Sequence, residues 1–316
     1  MTANIIDAIV HLVENPVTHL VNYYQGKNRA NNSGDALEEY VKDLFANSFD
    51  MDEKDRLRKI QETFSYLGNN SNPPDAMLCD GDAIEVKKIE TPNAALALNS
   101  SYPKHKLYSD SEMISNACRD AEEWKEKDII YTVGVVKDNE LKHLCMVYGM
   151  DYCASEKCYS RIKYRIKEGV ESIHGVEFAE THELGRVNRV DPLGITYLRV
   201  RGMWGIENPW SVFNYVYSRN TQKNFTFMCI INENKWDEFD NTDLLIEMAY
   251  SNKALNIQYI EIKNPDENII AGFDADVEIQ TGQYLGVTVV PIESITLEKT
   301  GSYVYLYNDE DKTVTK

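Results

Sequence analysis

The stretch "PPDAMLCDGDAIEVKKI", residues 73 to 89, holds two strand-like runs, "DAML" and "AIEVKKI", joined through "DGD". Asp-Gly between β-formers is the composition of a tight hairpin turn. A chain carrying it is committed to an antiparallel pair and to a sheet that receives it. Turn chemistry explains Asp80 and Asp82. It does not explain the charge that follows: in "AIEVKKI" the apolar Ile84, Val86 and Ile89 mark one face, and Glu85 and Lys87 share the other. If the register follows the turn, Asp75 faces that pair from the neighbouring strand. Two carboxylates and an ammonium then make a compact site. Hard oxygen ligands on strands suit Mg²⁺, which takes one or two carboxylates and completes its shell with water and phosphate oxygens. The plain alternative is a solvated strand face with a cross-strand salt bridge worth under about 1 kcal/mol. Lys88 and Glu90 fit that alternative.

Around the hairpin the periodicity predicts helices and strands. "NIIDAIVHLVENPVTHLVNYY" is apolar at helical spacing but broken by Asp7, His11 and Glu14, with no basic segment before it, so it reads as neither signal peptide nor membrane span. After the polar break "GKNRANNSG", "DALEEYVKDLFANSF" places Leu37, Tyr40, Val41, Leu44 and Phe45 on one helical face. Beyond the hairpin, a polar loop leads to a helix expected from "SDSE", where Ser109 and Glu112 have capping-box spacing, packing through Met113, Ile114, Ala117, Cys118, Ala121 and Trp124. Two β-rich runs, "DIIYTVGVV" and "KHLCMVYG", follow, with a turn at "KDNE". A basic helix is expected near 157–168, and Val/Ile/Tyr-rich strands in the acidic end.

The 316 residues can bury a sizeable core, and six cysteines without CxxC pairs suit reduced thiols in a cytoplasm. His143, Cys145, Cys153 and Cys158 match no common zinc spacing. The net charge of -18 argues at first against a phosphate-rich partner, but residues 233–316 hold 17 Asp and Glu against 6 Lys and Arg. The acid is concentrated at the C-terminal end. Basic residues gather at Lys87 and Lys88, at Lys104 and Lys106, in "RIKYRIK", and at Arg199 and Arg201. A nucleic-acid surface belongs on those segments.

The order "PD", nine residues, "EVK" resembles the active-site motif of the PD-(D/E)XK nuclease superfamily. "LALNSSYPKHKLYSDS", the later "CRD" and "LRVRGMWGIENP" are similar to the NgoPII-like group of type II restriction endonucleases. The resemblance implies an α/β (α+β) fold: a restriction-endonuclease-like core with a central mixed sheet flanked by helices, followed by a β-rich C-terminal region. Soft boundaries give N-terminal helices (1–30), nuclease core (31–150), a recognition or dimerisation region (151–232) and the acidic region (233–316). It further implies Asp75, Glu85 and the Val86 carbonyl as Mg²⁺ ligands, with Lys87 orienting or deprotonating the attacking water. Asn99, Ser100, Ser101 and Lys104 become contacts to bases or phosphates, and Arg199 and Arg201 readers of guanine in a G/C-rich palindrome. The implied enzyme cuts both strands of double-stranded DNA as a homodimer, leaving 5′-phosphate and 3′-hydroxyl ends. A cognate methyltransferase is then a functional but not a physical partner. A structure-specific repair or junction nuclease of the same superfamily, or a non-catalytic acidic interaction protein, are the alternatives.

The superfamily often adds an acid from the preceding helix. Glu38 lies at the border of the apolar face, about 100° from Leu37, while Glu39 at about 200° points away. Asp35 and Glu38 also have capping-box spacing, so Glu38 reads either as a metal-site acid or as a cap. Trp204 and Trp210 read as core residues and not as stacking platforms.

Overall fold

Asparagines open two of the first helices. Asn4 caps α1 (Ile5–Glu14) in a capping box with Asp7; α2 (Leu20–Gly26) follows, and Asn32 caps α3 (Ser33–Ala46) by accepting from the Gly34 and Asp35 amides. Helix α4 (Glu53–Thr63) starts at Asp52. The structure, a computed structural model, describes residues 2–265 except 28, 31, 70 and 71, and the backbone of 295–298, 301–304, 306–308 and 313–315.

After α4 come β1 (Phe64–Asn69), β2 (Asn72–Leu78), β3 (Ala83–Ile89), β4 (Leu96–Asn99) and β5 (Lys106–Tyr108), then α5 (Asn116–Arg119), β6 (Glu126–Lys137) and β7 (Glu140–Tyr148). Next are α6 (Gly149–Tyr152), α7 (Glu156–Glu171), β8 (Glu177–Phe178), β9 (Gly185–Asn188), β10 (Leu198–Val200), β11 (Trp204–Ile206), α8 (Pro209–Val212) and β12 (Thr226–Ile230). Helices α9 (Glu233–Glu238) and α10 (Thr242–Ser251) complete the first of two compact units, Met1–Asn268. The second unit, Ile269–Lys316, contains β13 (Ile295–Glu298) paired with β14 (Gly301–Val304), and β15 (Leu306–Asn308) paired with β16 (Thr313–Thr315).

The main sheet runs β1-β2-β3-β6-β7-β12, with β5 added on β6. β3–β6 and β7–β12 are parallel and the other pairs antiparallel, so the expected mixed sheet flanked by helices is present. Alternation splits its core in two. Ile84, Val86, Ile130, Leu144 and Tyr148 pack under α1–α3, with Leu245 of α10; Met77, Tyr131, Cys145 and Val147 pack on the other side with Cys118, Tyr152, Trp210 and Phe213. The first of these cores draws on residues from 5 to 245. Gly134 lets α3 approach the sheet, because a Cβ there would lie 2.6 Å from Leu37 Cδ2. The β6–β7 turn places Asp138 and Asn139 at φ 53° and 64°, the left-handed pair of a two-residue hairpin turn.

Several expectations need correction. Ile89 lies on the face of Glu85 and Lys87, packing with Leu96, Val133 and Val135, as strict alternation from Glu85 requires. Asp82 is no mere turn residue: it is 5% exposed and bonds the Tyr148 hydroxyl at 2.7 Å and Lys235 at 2.8 Å. The helix expected from Ser109 shrinks to the single turn α5, capped by Ser115. Arg119 holds the preceding loop by donating to the Ser109 and Ser111 carbonyls, so Ile114 and Cys118 are buried without a long helix. At 233–251 the acidic end forms α9 and α10 and not strands. The six cysteines are free thiols. No helix among the described residues is long and apolar enough to cross a membrane.

Candidate active site

The hairpin opens where its charges begin. β2 and β3 pair only at Ala76–Ile84 and Met77–Ala83, whereas β3 stays paired with β6 through Ile89–Val135. Past Ala76 the strands fork, and Asp75 fills the missing rung: its Oδ2 accepts from the Val86 amide at 2.6 Å. The fork is one wall of a cleft of about 350 Å³.

Asp75, Glu85 and Lys87 converge there as expected. Lys87 Nζ lies 2.6 Å from Glu85 Oε1 and 4.0 Å from Asp75 Oδ2. Glu85 is 9% exposed, and its Oε2 is buried without a hydrogen-bond partner. Burial, then the nearby Asp75 charge, pushes the Glu85 carboxyl up to about 7. Burial also raises Asp75, against the pull of Lys87. For Lys87 burial acts downward, but Glu85 and Asp75 outweigh it and hold the ammonium above its ordinary value. The lysine is therefore a fixed cation in this state.

Glu38 reaches the same cleft from α3, its carboxyl raised by burial and by Asp75. The cap at Asn32 removes the Asp35–Glu38 capping box, since both residues lie inside the helix. Glu39 points to α4, pairing with Arg56 at 2.6 Å and Lys42 at 2.7 Å. Asn99, Ser100, Ser101 and Lys104 line the cleft. Lys104 is 7% exposed, with Nζ 3.9 Å from the Tyr102 ring centre, and burial lowers it to about 8.

Arg199 and Arg201 are not among the lining residues. Both close on Glu183, Arg199 Nε at 2.9 Å from Oε2 and Arg201 Nε at 2.8 Å from Oε1, at the β8–β9–β10 sheet. That segment is tied back by β11, which pairs Trp204 with Asn99. Trp210 is core at 3% exposure, but Trp204 is only partly buried and meets Tyr102 and Tyr159 edge-on. Sequence reasoning missed Tyr131 and Tyr102 in the cleft wall. Their only trace was aromatic residues in a strand-like run and beside the "NSSYPK" loop.

A hard divalent cation fits the donor set. Asp75 and Glu85 offer carboxylate oxygens in one cleft, and the orphaned Glu85 Oε2 lacks the partner a buried anion requires. Among the described residues no three His, Cys, Asp or Glu side chains form a closed metal cluster. The pair would leave ligand positions open to water and phosphate.

The profile of the NgoPII restriction endonuclease family matches residues 3–263. The type II restriction enzyme NgoPII of Neisseria gonorrhoeae is 64% identical over 264 residues, 83% of this chain and 94% of that enzyme. No solved structure matches. The matched span runs from α1 past α10 and takes in every residue of the forked hairpin and its cleft, and the chain belongs to the NgoPII restriction endonuclease family.

Proposed function

We propose that this restriction endonuclease hydrolyses both strands of a short, G/C-rich palindrome in double-stranded DNA, with Mg²⁺ held by Asp75, Glu85 and the Val86 carbonyl. The bound cation would supply charge neutralisation at the phosphate and a lower water pKa. The chain's own groups do the rest. Asp75 and Glu85 stay ionised once a cation offsets their mutual repulsion. Lys87, pinned by both carboxylates, orients the attacking water by donating to it; its raised proton affinity makes it a poor base. Glu38 adds a third acid to the cleft lining.

Asn99, Ser100 and Ser101 would position the backbone beside the scissile bond, and Arg199 and Arg201 would read guanine. Both arginines are exposed at their pairing with Glu183, where solvent screens the attraction, so a guanine edge can displace it. A two-fold site calls for two copies of the chain. The single observation behind this reading is the fork, where two acids and a lysine meet in an open cleft with one carboxylate oxygen unmatched. Digestion of DNA of known sequence with Mg²⁺ and with EDTA, followed by sequencing of the ends, tests it. Discrete fragments with 5′-phosphates only with Mg²⁺ are expected; random cleavage or none would overturn it.

A further inference from the structure

The cleft holds two lysines in opposite electrostatic states. Lys87 is matched by two carboxylates. Lys104 is buried to 7% exposure, yet among the described residues no carboxylate forms an ion pair with its ammonium, and the Glu156 and Glu85 charges act on it without direct contact. Its Nζ stands over the face of Tyr102, 3.9 Å from the ring centre. A cation buried this far with no directly paired anion is a strained arrangement unless an anion arrives.

Its position is built and not incidental. The Lys104 amide donates to the Tyr131 hydroxyl at 2.6 Å, and Tyr131 sits opposite Glu85 in the β3–β6 register. Tyr102, the seat of the ammonium, donates to Glu156 Oε1 of α7 at 2.5 Å and stacks on Tyr159 of the same helix, 5.7 Å between ring centres. Gly149 lets the 104–105 backbone lie against α6: a Cβ there would come within 2.6 Å of the His105 carbonyl oxygen. Three elements thus hold one unpaired ammonium in the cleft that contains Glu85.

We propose that Lys104 is a further catalytic residue, whose ammonium binds a non-bridging oxygen of the scissile phosphate as charge accumulates there, a role distinct from that of Lys87. The inference rests on the nuclease reading above. In the step, water forms the new O–P bond and loses a proton to solvent, the P–O3′ bond breaks, and the 3′-oxygen leaves with its electron pair and takes up a proton. Lys104 forms and breaks no covalent bond and keeps its protons. The interaction is stronger in the transition state than in the bound ground state, so its loss appears in the rate more than in affinity.

The test compares wild type with Lys104→Met and Lys104→Gln in single-turnover cleavage of a plasmid with Mg²⁺, in binding of a cognate duplex in EDTA, and in thermal melting. Cleavage slowed about 100-fold or more, affinity within about threefold and a melting temperature equal to or above wild type are expected. Met should melt highest, because it removes the unpaired charge and keeps the packing. Cleavage within about threefold of wild type would overturn the proposal, as would an affinity loss that accounts for the whole rate loss. Failure of both variants to fold would overturn it too, making the ammonium structural. Absence of wild-type cleavage would instead refute the nuclease reading itself.

Discussion

Glu85 carries one matched and one unmatched carboxylate oxygen, so its removal separates chemistry from folding. Glu85→Ala should reduce cleavage by about 10³-fold or more while melting stays within a few degrees, since truncation relieves a buried carboxyl that burial already raises to about 7. Plasmid digestion and thermal melting check this, and wild-type rates would sink the assignment. Glu38→Gln isolates the third acid. With Asn32 as the cap, the Gln variant should keep its stability and lose activity at least about tenfold; unchanged cleavage would remove Glu38 from the site. His143 makes a prediction about pH. It is 5% exposed, bonded to Thr226 Oγ1 at 2.5 Å, and burial, then Arg219 and Lys142, lowers it to about 4 from 6.5. The folded chain therefore binds fewer protons than the unfolded chain between those values. Its stabilising share is complete above pH 6.5 and is lost as pH falls through that window toward 4. Urea unfolding at about pH 7.5 and about pH 5 should show part of that loss in wild type and a smaller one in His143→Gln; equal losses in the two would refute it.

Helix α3 delivers Glu38, and a buried ion pair fixes where α3 lies. Asp43 is fully buried and accepts from Tyr24 at 2.8 Å, Ser48 at 2.6 Å and Arg56 Nε at 2.8 Å, while Arg56 also reaches Glu39. Arg56→Ala should cost about 3–5 kcal/mol by leaving Asp43 buried with too few partners. Urea unfolding measures it, and a cost under about 1 kcal/mol would mean that the hydroxyls and the Arg29 guanidinium, 3.9 Å from Asp43 Oδ2, suffice. The elements that sequence made legible were those with a strong local signal: α3 by its apolar stripe, the hairpin by Asp-Gly, β6 by its β-branched run and β7 by its apolar one. The clustering of Asp75, Glu85 and Lys87 was legible because they lie within 13 residues, so one hairpin assembles them. The helix expected at 109 failed because Ser109 and Glu112 imitate a cap whose real counterpart is Ser115. Burial of Ile114 and Cys118 was foreseen, but the backbone joining them was not, since apolar spacing alone does not distinguish a helix from loops pinned by Arg119. The Glu183 pairing of Arg199 and Arg201 was illegible because it depends on β9–β10 register.

At the scale of the molecule, a chain of net charge -18 must bind a polyanion, and the distribution of charge makes that workable. The unit Ile269–Lys316 lies beyond the family match, which ends at residue 263, and holds 8 acidic against 3 basic residues. Cleft and forked hairpin belong wholly to the first unit. If the phosphates meet Lys and Arg of that unit, each contact releases a counterion and steepens the fall of affinity with salt by about 0.9 in log–log slope. Net charge shifts the affinity as a whole; contacts set the slope. A chain ending at residue 268 should therefore cut at the same site and keep the full-length salt slope between about 50 and 200 mM, while binding more tightly across that range because a repulsive acidic segment is gone. Anisotropy titrations of one cognate and one altered duplex measure both quantities. A flattened slope or lost discrimination in the shortened chain would mean that residues 269–316 touch the DNA, and that the basic segments of the first unit are not its main contact.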